Sequence, residues 1–266
     1  MDSYFVALGD ARYRSTEHAR GAWRDDEIHF SPLAGLVAHA LDRAARPDGP
    51  TGLSRLSFEI LGVLPEGEYA VEVETVRPGR TIELVEATAT AGGRPVVRAR
   101  AWFLEESDTS DVEGTDETPL PPLDEAEPWA MSTTWPGGYV ASLDVRQLGE
   151  VRPGRATVWM STAVALVEGE EVSPRASYLG LVDGCNGIAV RRDPREWAFP
   201  NVDLGIHLHR RPEGAWLGAD TRVAFGPTGL GVTTTVLHDL AGPVGFAQQS
   251  LTLRRRPPAS PAPRAG

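Results

Sequence analysis

After Ser31, apolar residues recur three and four apart: Leu33, Leu36, Val37, Ala40, Leu41 and Ala44. That spacing predicts a helix with one buried stripe. After Ser173, Tyr178, Leu181, Val182 and Cys185 follow the same rule. Both runs begin with Ser-Pro. A serine hydroxyl can accept from the first free backbone N–H groups, and proline at the first helical position lacks the N–H that would be orphaned there. Ser31 and Ser173 are therefore the expected helix starts. Elsewhere the period falls to two, and strands are expected at 69–76, 80–90 and 94–104, and again at 216–224, 230–238 and 243–254.

The order of elements repeats. Pro65, Gly67 and Tyr69 stand 147 residues before Pro212, Gly214 and Trp216, Pro95-Val96 stands 148 before Pro243-Val244, and Ser31 stands 142 before Ser173. Each half reads as an opening strand, one long buried helix and an antiparallel set of strands, which makes a duplicated α+β unit. Residues 1–105 and 129–256 are the two expected copies. The stretch 106–128 reads as an acidic, Pro-containing linker, and 257–266 as a Pro/Ala-rich disordered tail.

Where the copies differ, chemistry is expected. On the last strand, Gly245, Ala247, Gln249, Leu251 and Leu253 share one face, and Gln249 is the polar member of that row. Its partner in the first copy, 148 residues earlier, is Ala101. Burying an unpartnered amide costs on the order of 1–3 kcal/mol, so Gln249 should have a partner or a task. An offset of 147 pairs Asp203 with Leu56, again polar against apolar. A bulge at the strand start could re-aim that acid.

Charge and composition change little in this picture. The net charge is −11, but residues 105–127 alone hold ten acids and no base. The balance argues against nucleic acid as a partner, which normally calls for a basic patch. No run of eighteen apolar residues exists, so no membrane span is expected. The N-terminus has no secretory pattern, and the single cysteine, Cys185, fits a reducing cytoplasm and a place in the core. His207 and His209 sit at i, i+2 without further ligands nearby and read as surface residues.

A helix wrapped by an antiparallel sheet, present twice, is the double-hotdog arrangement. The stretch "LSFEILGVLPEGEYAVEVETVRPGRTIELVEATATAGGRPVVRARAWF" resembles the first hotdog of acyl-CoA thioesterase II-like proteins. "FPNVDLGIHLHRRPEGAWLGADTRVAFGPTGLG" with "GPVGFAQQSLTLR" resembles the second. The resemblance spans roughly residues 20–256, linker excepted. It implies a fold of two antiparallel sheets, each around a central helix, and hydrolysis of an acyl-CoA or acyl-carrier thioester by activated water. It assigns Asp203 as general base or water orienter and Gln249 as a residue that helps hold the water. A third family residue, Ser or Thr, falls near Val223–Ala224, where neither has a hydroxyl, and Thr221 is the nearest substitute. No cofactor is implied, since a thioester is already activated towards water. Arg77, Arg80, Arg210 and Arg211 are candidates for coenzyme A phosphates. Assembly of such units into a homo-oligomer stays open. Two other readings compete: a non-catalytic acyl-thioester-binding protein, suggested by the missing hydroxyl, and a hotdog hydratase or dehydratase, whose Asp–His motif "LGDARYRST" reproduces only at its start.

Overall fold

A computed structural model describes residues 2–24, 26–45 and 49–256, and the expected tail lies outside that range. The N-terminal half contains β1 (Ser3–Gly9), β2 (Arg12–Ser15), α1 (Phe30–Arg43), β3 (Gly52–Ile60), β4 (Glu68–Arg77), β5 (Ile82–Ala91) and β6 (Arg94–Leu104). The C-terminal half follows with β7 (Glu127–Pro128), α2 (Gly138–Ala141), β8 (Leu143–Gln147), β9 (Arg155–Thr162), β10 (Ala165–Val167), α3 (Pro174–Val182) and α4 (Cys185–Ile188). It closes with β11 (Trp197–Ala198), β12 (Asp203–Leu208), β13 (Leu217–Phe225), β14 (Leu230–Asp239), β15 (Gly242–Thr252) and β16 (Arg254–Arg255).

Two sheets, each around a central helix and running on edge to edge, were expected. The described residues form one continuous 14-stranded sheet in the order β10-β1-β2-β4-β5-β6-β3-β12-β15-β14-β13-β9-β8-β7, with a separate β11–β16 pair. The halves are stitched at β3 and β12, where Leu56 faces Ile206 and Phe58 faces Leu204. A second join is parallel: β1 of the first half pairs with β10 of the second. Shared backbone bonds at both places leave no free edge between the copies.

The central helices α1 and α3 pack on each other as well as on the sheet. A Cβ at Gly35 would stand 3.0 Å from the Gly180 Cα, so the two backbones meet at glycine. Ser173 caps α3 as expected, its hydroxyl accepting from the Ala176 N–H at 3.0 Å. Ser31 does not cap α1. That helix starts two residues earlier, with His29 as N-cap and its imidazole Nδ1 accepting from the Ser31 N–H at 3.1 Å. The expected second helix also breaks. It ends at Val182, and Asp183-Gly184 separate it from the single turn that begins at Cys185.

The repeat runs at 148 through β3, β4, β5 and β6 and their counterparts β12, β13, β14 and β15. Val71 faces Ala89 as Ala219 faces Leu237, and Val85 faces Ala101 as Thr233 faces Gln249. The PEG motif at 147 lies in a turn, where the copies differ by one residue. At 148, buried Leu56 corresponds to buried Leu204, and Asp203 corresponds to exposed Arg55. The apparent contrast between Asp203 and Leu56 was a one-residue slip, which exchanges the two faces of a strand.

The linker is largely exposed through residue 118. Beyond that it lies on the second half: the Trp159 Nε1–H donates to the Pro121 carbonyl at 3.1 Å, and β7 pairs with β8.

Candidate active site

Four interior positions of the second copy are polar: Thr221, Thr233, Thr235 and Gln249, each at most 1% exposed. Their counterparts 148 residues earlier are Val73, Val85, Ala87 and Ala101. At these four positions the sheet interior is apolar in one half and lined with hydrogen-bonding groups in the other. Those groups lie beneath the break between α3 and α4.

Asp183 occupies that break. Gly184 cannot extend the helix cheaply, so the chain turns and the carboxyl is left at the C-terminal end of α3, 5% exposed. Its Oδ1 accepts from the Gln249 Nε2 and from the Asn201 Nδ2, each at 2.8 Å. Asn201 is fixed in turn by donating to the Asp203 carbonyl at 3.0 Å. Burial raises the Asp183 pKa to about 6, against the opposing pull of the Asn201 and Gln249 hydrogen bonds. Desolvation wins because both partners are neutral and no cation compensates the charge.

The other carboxyl oxygen, Oδ2, faces His29 from the first half, with Nδ1 at 3.5 Å. That nitrogen already accepts the Ser31 N–H, so the ring proton of the neutral imidazole belongs on Nε2. Burial pulls the His29 pKa down to about 4. The ring lies 4.4 Å from that of Tyr139, whose hydroxyl donates to the Gly180 carbonyl at 3.2 Å. Asp183 thus stands beside the positive, N-terminal end of α1.

His29, Tyr139, Asp183, Asn186 and Asn201 line a cavity of about 40 Å³. Asn186 is held by the Thr233 hydroxyl, which donates to its Oδ1 at 3.3 Å. Trp23 and Trp135 also line the cavity and meet Phe199 edge-to-face behind it, with centroids 4.9 to 5.7 Å apart. A space of this size holds water, and the polar groups around it suit water.

Of the residues singled out from sequence, Gln249 is at the centre of this constellation. Asp203 is not. Its carboxylate accepts from the Ser250 N–H at 2.5 Å and the Ser250 hydroxyl at 3.1 Å. Ser250 is exposed and Gln249 buried, so Asp203 stands on the opposite face of the sheet from Gln249, and their expected approach does not occur. Thr221 is buried but bonds to Thr235, hydroxyl to hydroxyl at 2.9 Å, away from the carboxyl. Cys185 is a core residue whose thiol burial pushes up to about 12. His207 is exposed, and no group of three metal-ligating side chains occurs among the described residues. Arg210 is tied to Asp239, Arg211 to Glu106, and Arg77 to the Ile82 carbonyl.

Sequence reasoning missed Asp183, His29 and Asn201. One signal was available: an acid followed by glycine in the middle of an apolar helical stripe, where a polar residue needs a reason.

Residues 19–104 match the acyl-CoA thioesterase N-terminal domain and residues 116–253 the acyl-CoA thioesterase C-terminal domain. Among curated proteins none matches the sequence. Solved structures similar to this chain include acyl-CoA thioesterase II TesB2 from Mycobacterium marinum, at 16% identity and TM-score 0.64, covering 95% of this chain and 96% of that one. A hot dog fold protein of unknown function from Alicyclobacillus acidocaldarius has 14% identity and TM-score 0.72, covering 97% of each chain. The dehydratase domain of the CurK module of curacin polyketide synthase has 11% identity and TM-score 0.54, covering 97% of this chain and 98% of that one.

Proposed function

Because the chain belongs to the acyl-CoA thioesterase family and is a thioester hydrolase, we propose that it hydrolyses acyl-CoA with Asp183, not Asp203, as the base. The observation that carries this reading is the carboxyl of Asp183, buried in a water-sized cavity with Oδ1 held by Gln249 and Asn201 and Oδ2 left facing His29. A pKa near 6 leaves the group ionised at neutral pH yet basic enough to accept a proton.

In the proposed reaction, water held at Oδ2 attacks the thioester carbon and gives its proton to Asp183. The carbonyl oxygen gains the negative charge. The His29 Nε2–H and the N-terminal turn of α1 are the donors placed to stabilise it. Collapse of the tetrahedral intermediate breaks the C–S bond, and the departing thiolate takes the proton back from Asp183. The products are a carboxylic acid and coenzyme A. Gln249 and Asn201 hold the base in one orientation and lower its pKa from where burial alone would set it. The hydroxyl sought near Val223 is not needed here, because Asn201 supplies the third polar contact. One free, buried cysteine fits a cytoplasmic enzyme of acyl metabolism.

Thiol release from a panel of acyl-CoAs tests this directly. Hydrolysis is expected for the parent, with a roughly 10²–10⁴-fold loss in Asp183→Asn. A second reading has one observation in its favour: Asp183 and neutral His29 lie close enough to act as an acid–base pair on the acyl chain. Loss of enoyl absorbance from an enoyl-CoA without thiol release would select hydration.

A further inference from the structure

A thioester set over Asp183 must send two arms out of a cavity of about 40 Å³, which has room for neither. Met131, Asn186 and Gly187 form part of that cavity's wall. Immediately beyond, the same two segments line a second cleft of about 440 Å³, with Thr133 and Thr134 on one side and Ile188 and Val190 on the other. The partition is thin. The Met131 methyl group sits where a Cβ on Gly187 would be 2.7 Å away, so glycine admits it, and methionine is an unbranched side chain that moves at low cost.

The rim of this cleft is cationic. Arg152 and Arg195 line it, and Arg192 follows in the same loop. Arg152 has no ion-pair partner among the described residues, and Arg195 is paired only with Asp193 while remaining 88% exposed. That pair is bidentate, with Arg195 Nε and Nη2 donating to the Asp193 carboxylate at 2.6 to 3.1 Å, and Asp193 also lines the cleft, so Arg152 is the rim's unpaired cation among the described residues and a phosphate would share Arg195 with Asp193. The arginines at the other end of α3 are engaged: Arg175 with Asp42, Arg210 with Asp239 and Arg211 with Glu106. Ten of the eleven net negative charges lie in residues 105–127, so the rest of the chain is nearly neutral and an unneutralised guanidinium beside the site is a local attraction for phosphate.

We infer that this cleft binds the phosphate-bearing arm of coenzyme A. Arg152 and Arg195 take its phosphates, and the Met131–Gly187 partition is the passage for the thiol-bearing end. The inference rests on the thioesterase reading above and adds where the carrier lies. Guanidinium is suited to it because its planar fork can donate twice to one phosphate.

The test compares the parent with the double variant Arg152→Glu/Arg195→Glu on two substrates, an acyl-CoA and the same acyl group on N-acetylcysteamine, which has no phosphate. The expected result is a KM for acyl-CoA raised about tenfold or more, with kcat and the KM for the short thioester changed by less than about twofold. An unchanged KM for acyl-CoA overturns the inference, and so does an equal loss on both substrates, which would mean damage to the site itself. Calorimetry with free coenzyme A separates this from the activity. If the parent hydrolyses neither substrate, the thioesterase reading falls. Binding of coenzyme A by the parent that weakens about tenfold in the variant still supports the cleft, and absent or equal binding overturns it.

Discussion

In the proposed mechanism Asp183 is destabilising to the fold and useful to the chemistry for one reason: its charge is buried without a counter-charge. Its folded pKa is about 6 against an ordinary 3.8. The native state therefore holds the proton more tightly than the unfolded chain does. The sign follows: the contribution of this group to stability is greatest below about pH 4, declines as pH rises through 4 to 6, and stays low above. Asp183→Asn should raise stability at pH 7 by on the order of 2–3 kcal/mol and flatten that decline, as urea melts at pH 4 and pH 7 would show. Activity should do the opposite, rising as the carboxyl ionises, with an acid limb near pH 6. Gln249→Ala removes a bond that lowers this pKa, so the limb should move to higher pH. If it stays where the parent has it, Gln249 is not acting on the base. Gln249 was legible in the sequence because a strand has a strict period and a second copy to compare with. His29 and Asp183 were not, because they sit at helix ends, where the copies have no shared register and only three-dimensional packing brings them together.

At the scale of elements, the site depends on the antiparallel crossing of α1 and α3, which sets the start of one helix against the end of the other. Gly35 and Gly180 permit that contact. Gly35→Ala places a methyl group 3.0 Å from the Gly180 Cα and 3.1 Å from the Leu166 side chain. It should destabilise by about 1–3 kcal/mol, the usual range for overpacking, and should displace His29 relative to Asp183. Thermal melting and kcat measured together test this, and a variant as stable and active as the parent would contradict it. Both helices and six of the seven longest strands were visible as periodicity; β3 was the exception. Their ends were less so: Ser173 caps as its chemistry suggests, whereas the first helix is capped two residues before Ser31 by His29, whose imidazole nitrogen accepts the Ser31 N–H. Asp203 was paired with Leu56 instead of Arg55 because a single residue of slip in register turns an outward side chain inward on paper.

The whole molecule is one sheet, so the halves are not independent units. Separating them would expose the β3–β12 ladder and one face of each central helix, and each half alone should aggregate or remain unfolded. The linker divides into a solvated part and a docked part. Deleting residues 108–117 should cost less than about 1 kcal/mol, since closure entropy changes slowly with length. Extending the deletion through Pro121 should cost more, because Trp159 then loses its partner. Denaturant melts of the two deletions would separate the parts, and equal stability would remove the distinction. The central claim is that the duplicated fold keeps one working centre, beneath the broken helix of its second half, with Asp183 as base. Its most direct measurement is the rate of acyl-CoA hydrolysis by Asp183→Asn and Asp203→Asn side by side. The account predicts a roughly 10²–10⁴-fold loss in the first and a near-parental rate in the second; a parental rate in the first together with a comparable loss in the second would contradict it.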